Sequence, residues 1–357
     1  MKLDRGGAMR IGVLGCGYWG SKHVRVLQQL TDVDKVAIID RRKDRLETLR
    51  RSFPTVKPFP DLPSAIDHVD AVVVATPPST HVHLARQALQ AGKHVLVEKP
   101  MTTSVASARS LIEEAEAASL TLMAGHTFEY NAAVWMLREV IQSGSLGKVY
   151  YIDTARLNLG VYQPDINVIW DLAPHDISII NHLLGGKPTT VEAWGSSHAH
   201  AYLEDVAYVR LHYTELGIMA QIHVSWLDPC KVRRVTVVGS KKMAVYNDLA
   251  DQERLRIYDK GVVAASEEDL HDLPMSYRYG GIFSPFISLQ EPLSIQDQHF
   301  VECIATGRRS LTNGESGLAV VEVLEAATLS LRRGEPVSLQ AAWPYDGTDV
   351  ERVSVGG

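Results

Sequence analysis

The sequence predicts an α/β domain followed by an α+β domain. Three observations predict it. Short apolar runs alternate with amphipathic stretches at helical spacing through the first third of the chain. Beyond residue 125 that rhythm gives way to segments in which polar and apolar residues alternate. The length, 357 residues, suffices for two or three domains of roughly 100–200 residues each.

Taken in order, residues 10–14 form a short apolar run that ends in glycines, and residues 22–30 place Val24, Leu27 and Leu30 at helical spacing. A second buried-looking strand follows at 36–39, then a helix over 42–50 with Leu46 and Leu49 facing inward. Ala71-Val-Val-Val-Ala75 is a continuous run of the kind expected where a strand is covered on both faces. A helix at 80–91, a strand at 94–97, a long helix at 104–118 and a strand at 121–124 close the series. Repeated strand–helix alternation implies right-handed crossovers and a parallel sheet. In the second part, strands are expected at 149–159, 190–194, 206–213, 218–226, 232–238 and 243–247. The turn Thr214-Glu215-Leu216-Gly217 joins two of them into an antiparallel meander. A helix near 174–184 ends at Gly185-Gly186, residues 265–293 read as a long irregular excursion, and helices at 293–306 and 314–332 close the chain. The expected domains are 1–125 and 126–345, with 346–357 as a tail.

Hydrophobic residues make up 45% and charged residues 22%, ordinary for a soluble globular protein. Lys plus Arg total 36 against 42 Asp plus Glu, a net charge of −6 that argues against a general polyanion binder, so no nucleic-acid partner is expected. Cys16, Cys230 and Cys303 are too few and too scattered for a disulfide scaffold or a cysteine-built zinc site, and they suit a reducing compartment. No apolar run approaches the roughly 20 residues that span a bilayer. Residues 1–7 lack a signal-peptide core. A cytoplasmic protein without membrane association is expected.

Gly15-Cys16-Gly17-Tyr18-Trp19-Gly20 matches G-x-G-x-x-G, weak alone but here preceded by a strand and followed by a helix. Gly15 permits the tight turn, Gly17 lets the backbone approach a pyrophosphate, and Gly20 allows close helix–strand packing. N–H groups at the helix start then bind the phosphates. Asp40 lies 20 residues beyond Gly20, at the end of the second strand, where a carboxylate accepts from ribose hydroxyls and repels a 2′-phosphate. NAD is favoured over NADP, although Arg41 and Arg42 offer guanidinium groups able to neutralise such a phosphate.

Glu98-Lys99-Pro100 directly after a strand, together with the fingerprint, Ala75-Thr76-Pro77-Pro78 and the later Asp171-x-x-x-His175, resembles the glucose–fructose oxidoreductase / inositol dehydrogenase (Gfo/Idh/MocA) family. The resemblance covers nearly the whole chain. It implies an NAD-binding Rossmann domain and then a domain with a large open, mainly antiparallel sheet, through which copies pair as a dimer or tetramer. Its lysine, here Lys99, lies beside the nicotinamide and the reacting hydroxyl. It also implies cofactor contacts from Gly15 to Gly20, Asp40, Arg41, Thr76, Pro77, His81, Glu98, Lys99 and Trp170. One departure stands out: residues 165–170 (Asp-Ile-Asn-Val-Ile-Trp) replace the two glycines the family often carries before its aspartate.

Asp171 and His175 are four apart and share one face of a helix, about 6 Å apart along its axis. Pro174 suits a first helical turn, which would leave Asp171 at or before the cap. Singly, each has a plain structural reading, an N-cap and a packed histidine. Jointly with Lys99 they suit oxidation of a secondary alcohol. His175 is the expected base, since a neutral imidazole has a reference pKa near 6.5. Asp171 orients it or bonds the same hydroxyl, and Lys99 stabilises charge developing on oxygen. Whether Lys99 or His175 moves the proton stays open. No metal is expected: His81/His83 point to different sides of a helix, and His198/His200 lack an evident third ligand. Cys16 reads as a small filler, and Trp135, Trp194 and Trp226 as core.

His126, Asn131, Arg156, Asn158, Tyr162 and Asn167 are the expected substrate contacts, in segments dense enough in polar groups for a polyhydroxylated ligand. Glu129-Tyr130-Asn131, 156–160 and 170–175 look like the branch of amino-sugar 3-dehydrogenases. That likeness implies oxidation at C3 ahead of transamination, on a nucleotide sugar or on an aminoglycoside such as a gentamicin or kanamycin precursor. An NAD-retaining glycosidase, a non-catalytic NAD-responsive regulator and a reductase are the alternatives the same fold allows.

Overall fold

The aliphatic runs of the first third become a parallel sheet because each is flanked by a helix whose apolar stripe covers it. The computed structural model describes residues 9–163, 165–199, 201–263 and 276–339. In chain order the elements are β1 (Met9–Leu14), α1 (Tyr18–Leu27), β2 (Val33–Ile39), α2 (Lys43–Ser52), β3 (Lys57–Phe59), α3 (Leu62–Ala65), β4 (Ala71–Val74), α4 (Pro78–Gln90), β5 (His94–Glu98), α5 (Val105–Ala117) and β6 (Leu122–Gly125). The strand order is β3-β2-β1-β4-β5-β6, all parallel, with the order reversing between β1 and β4. Ile11, Val13, Val72, Val73, Val74, Val95, Leu96 and Val97 have no solvent exposure, as a doubly covered sheet requires.

Register brings the polar residues to one edge. Leu14 lies opposite Ile39 and Val74, and Glu98 opposite Gly125, so the strands end together. Gly15, Asp40, Ala75-Thr76, Glu98-Lys99 and His126 therefore all leave the sheet at its carboxyl edge. That edge, at the point where strand order reverses, is where open α/β sheets bind ligands.

The second part continues with α6 (Ala132–Gln142), β7 (Val149–Leu159), α7 (Val168–Leu184), β8 (Thr190–Ser196), β9 (Val206–Tyr213), β10 (Ile218–Ser225), β11 (Leu227–Gly239), β12 (Met243–Asn247), β13 (Leu255–Val263) and β14 (Ser276–Phe283). After these come α8 (Pro292–Thr306), α9 (Gly314–Arg333) and β15 (Val337–Ser338). Nine described strands form one sheet in the order β14-β13-β12-β11-β7-β10-β9-β8-β15. Only β7 and β10 pair in parallel; the other described pairs are antiparallel. Ile152, Ala220, Leu211 and Val191 share a rung and are fully buried, on the face that α7 covers. Tyr151, Met219 and Trp194 stand exposed on the opposite face.

The chain divides into two units, residues 9–130 with 290–322, and residues 131–289 with 323–339 among those described. The seam lies a few residues past the expected 125, and α8 with the start of α9 rejoins the first unit, where a continuous domain to 345 was expected. The reason is packing: Phe300, Leu318 and Val321 are buried on apolar faces that the first unit's core completes. The expected tail lies outside the described residues. The irregular excursion over 265–293 is also corrected, because β14 occupies part of it and pairs with β13, which the sequence reading missed. Nearly every residue of β14 is exposed, so its edge position leaves no buried alternation to read. Trp194, expected in the core, is 60% exposed. Among the described residues no helix is long and apolar enough to cross a membrane.

Candidate active site

On the first unit, the turn from β1 into α1 is built for close backbone approach. Gly15 has φ +90°, and a Cβ there would lie 2.5 Å from the Ala75 carbonyl oxygen. A Cβ on Gly20 would meet the Gly15 carbonyl oxygen at 1.7 Å, so α1 can only start against this turn with glycine in place. Gly17 is the N-cap and no side chain caps the helix; its first turn holds no acidic residue. The first N–H groups are thus left for an anion, aligned with the positive end of the helix dipole. Tyr18 and Trp19 are exposed rings set edge to face. Cys16 is buried filler whose thiol is pushed up to about 12, chiefly by burial.

Asp40 is oriented by its own backbone surroundings. One carboxylate oxygen accepts from the Cys16 N–H at 2.8 Å and the other from the Arg42 N–H at 2.8 Å. Arg45 Nη1 stands 3.6 Å from it. Arg42 itself is paired in a fork with Asp44, at 3.1 and 2.5 Å, so its guanidinium has a carboxylate already, and Arg41 is exposed. A glycine cradle, an uncapped helix start and a fixed carboxylate at the end of β2 fit an adenine dinucleotide without a 2′-phosphate.

His81 was expected among the cofactor contacts. It is wholly buried on α4, with Nδ1 2.9 Å from the Pro100 carbonyl oxygen and Nε2 2.8 Å from that of Thr76. Its ring joins the loop at Thr76-Pro77 to the loop at Lys99-Pro100, and so acts by positioning. Glu98 is likewise buried: one oxygen accepts from His23 Nε2 at 3.0 Å and the other from the Lys99 N–H at 3.2 Å. Lys99 follows immediately. His126, at the end of β6, is 1% exposed, and among the described residues neither ring nitrogen has a hydrogen-bond partner. Burial drives its pKa down to about 4, so the ring is neutral, able to donate or accept. An unpartnered neutral imidazole at this edge fits a small-molecule ligand.

On the second unit, α7 carries Asp171 and His175 on one face. The helix begins earlier than expected. Asn167 is its N-cap, accepting from the Trp170 N–H at 3.2 Å and donating to Glu204 at 2.7 Å. Pro174 is therefore inside the helix rather than in its first turn, and Asp171 is in the first turn rather than at the cap. Buried Val168 and Ile169 extend the apolar face backwards, and this packing outweighs the bond that Pro174 removes. Asp171 Oδ2 accepts from the Trp226 indole N–H at 3.1 Å. Tyr162 packs on Trp226 with ring centroids 5.2 Å apart, and its hydroxyl donates to Asp205. His175 is half-buried, one turn after Asp171.

Several expected ligand contacts make hydrogen bonds within the scaffold. Arg156 makes a buried fork with Asp176, at 2.7 and 3.3 Å. Asn131 caps α6, accepting from the Ala133 N–H and donating to the Tyr246 hydroxyl. Asn167 is the α7 cap just described, and the Trp170 indole donates to Thr328 at 2.9 Å. Asn158 keeps its side-chain oxygen without a hydrogen-bond partner among the described residues. Sequence reasoning missed His23, Asp297 and Gln296, polar residues at core-facing positions of α1 and α8, and took Trp226 for plain core. Their signal was there in principle: a histidine three residues after Gly20, and an adjacent Gln-Asp pair on an apolar stripe. Among the described residues no group of three or more His, Cys, Asp or Glu is arranged to hold a metal.

Comparison with known proteins agrees with this geometry. Residues 9–126 match the model of the oxidoreductase family with an NAD-binding Rossmann fold, and residues 134–245 match the GFO/IDH/MocA C-terminal domain. The chain is 30% identical to a myo-inositol 2-dehydrogenase of Thermotoga maritima, over 93% of this chain and 99% of the relative. It is 28% identical to the UDP-N-acetylglucosamine 3-dehydrogenase of Acidithiobacillus ferrooxidans, over 93% and 99%. Among solved structures, GenD2 from gentamicin A biosynthesis, in complex with NAD, superposes with a TM-score of 0.79 at 26% identity, covering 96% of this chain and 99% of that one. With cradle, carboxylate and Glu-Lys-Pro segment in these places, the chain belongs to the Gfo/Idh/MocA family of NAD-dependent oxidoreductases.

Proposed function

We propose that the protein oxidises a ring secondary hydroxyl, at C3 of a hexose or amino-sugar, to a ketone that a transaminase then consumes. The observation that carries this reading is the Asp171/His175 pair, one turn apart on α7, with Asp171 held by the Trp226 indole. Bound NAD supplies the hydride acceptor. His175 accepts the hydroxyl proton, Asp171 bonds the same hydroxyl or orients the imidazole, and Lys99 stabilises negative charge on the oxygen. His126, neutral and buried, supplies a hydrogen bond to the bound molecules. The names of the UDP-N-acetylglucosamine 3-dehydrogenase and of GenD2 support a C3 hydroxyl on a nucleotide sugar or an aminoglycoside precursor. The exposed face of the nine-stranded sheet, with Tyr151, Met219 and Trp194, supports pairing with a second copy. Cys16, Cys230 and Cys303 are free thiols, which supports a cytoplasmic setting.

The test is absorbance at the NADH band while nucleotide sugars, inositols and aminoglycoside precursors are offered with NAD. Net NADH from one class is expected; tightly held NAD with glycoside cleavage and no net NADH would overturn the reading. His175→Ala should cut turnover by about 10²–10⁴ while NAD binding holds. Near-normal turnover in that variant removes His175 from the mechanism.

A further inference from the structure

His23 lies on α1, three residues past the fingerprint, with no solvent exposure. Its Nδ1 is 3.0 and 2.9 Å from the two oxygens of Asp297, and its Nε2 is 3.0 Å from Glu98 Oε1. Asp297 is also fully buried and Glu98 nearly so. Ionised carboxylates only accept, so both ring nitrogens donate and the ring is an imidazolium. Burial alone would push the ring pKa down, but the charge of Asp297 and the hydrogen bonds the ring donates to both carboxylates raise it to about 10. One cation between two anions leaves the cluster with a net negative charge, and Glu98 carries it to the start of Lys99.

The surrounding contacts keep this arrangement in place. Glu98 Oε2 accepts from the Lys99 N–H. Gly125, opposite Glu98 across the ladder, leaves room for the carboxylate, since a Cβ there would approach it to 3.1 Å. Gln296 donates to Asp297 and accepts from Thr127, next to His126. The titratable groups facing the cluster are Glu98 and Lys99 from β5 and its loop, Asp297 from α8, His126 from β6 and His81 from α4.

We propose that His23, locked between Asp297 and Glu98, is a positioning residue that fixes the Glu98 carboxylate as acceptor of the Lys99 N–H, and so fixes the main chain from which Lys99 acts. This rests on the reading of Lys99 as a reacting group. Without the cation, two buried carboxylates face each other and one takes up a proton. The Glu98 carboxylate then loses the donor that orients it, and its hold on the Lys99 N–H weakens.

Three variants and one spectroscopic measurement test this on the full chain with NAD bound. His23→Gln should lower turnover about tenfold through misplacement of Lys99, with KM in place. Asp297→Asn, which keeps the ring but loosens its hold, should give a milder loss of turnover, and covers the case in which His23→Gln does not fold. In ¹⁵N-histidine-labelled wild type, one ring should carry both protons at pH 8 and vanish in His23→Gln. A neutral ring at pH 8, or unchanged turnover in both variants while Lys99→Ala is inactive, overturns the proposal. A fully active Lys99→Ala instead overturns the reading of Lys99, and this role for His23 with it.

Discussion

Gly15 holds its φ of +90° against the Ala75 carbonyl, and a methyl group there has no space. Gly15→Ala therefore strains the backbone and intrudes on the cradle together. It should lower stability by about 1–3 kcal/mol and weaken NAD binding disproportionately; chemical denaturation and titration of NAD fluorescence quenching separate the two effects. The role of glycine here was legible, because three glycines at fixed offsets between a strand and a helix leave few alternatives. His81 was not. Its position suggested a ligand, yet both nitrogens point at main-chain carbonyls five and nineteen residues away. The Pro100 carbonyl reaches the ring only once β4 and β5 are neighbours.

At the scale of elements, α7 decides the second unit's chemistry. Asn167 caps it and is tied to Glu204, so Asn167→Ala removes an acceptor for the Trp170 N–H and leaves a carboxylate without its amide donor. A cost of about 1–2 kcal/mol is expected, read as a lower denaturant midpoint, with the Asp171/His175 helix loosened at its first turn. The sequence suggested a start near Pro174 because proline favours N1. The helix begins at Val168 instead, since capping by Asn167 and burial of Val168 and Ile169 together offset one missing hydrogen bond. The edge strand β14 escaped detection for the complementary reason, having little burial to impose a pattern.

For the whole molecule, buried histidines shape stability against pH in opposite directions. Burial drives His126 to about 4 and His182 to about 3. Their unfolded forms bind protons below about pH 6.5 while the folded forms do not, so stability falls as pH drops toward those values. His23 is raised to about 10, so its contribution is complete below about pH 6.5 and is lost as pH rises toward 10. Melting temperature across pH should therefore peak near neutrality. His182→Phe should flatten the acid limb and His23→Gln the alkaline one; a limb unchanged in its variant excludes that histidine as its source.

Periodicity, the glycine spacing and Glu98-Lys99-Pro100 determined the fold class, the dinucleotide cradle and the family, because each depends on residues close in the chain or on which face an element buries. The tertiary structure alone decided which polar residues find partners within the scaffold. Arg156, Asn131 and Asn167 found partners at Asp176, Tyr246 and Glu204, and His23 found Asp297 from the far end of the chain. Composition and period do not encode such pairings. A buried polar group must be satisfied by whatever the fold brings beside it, and only folding sets those neighbours.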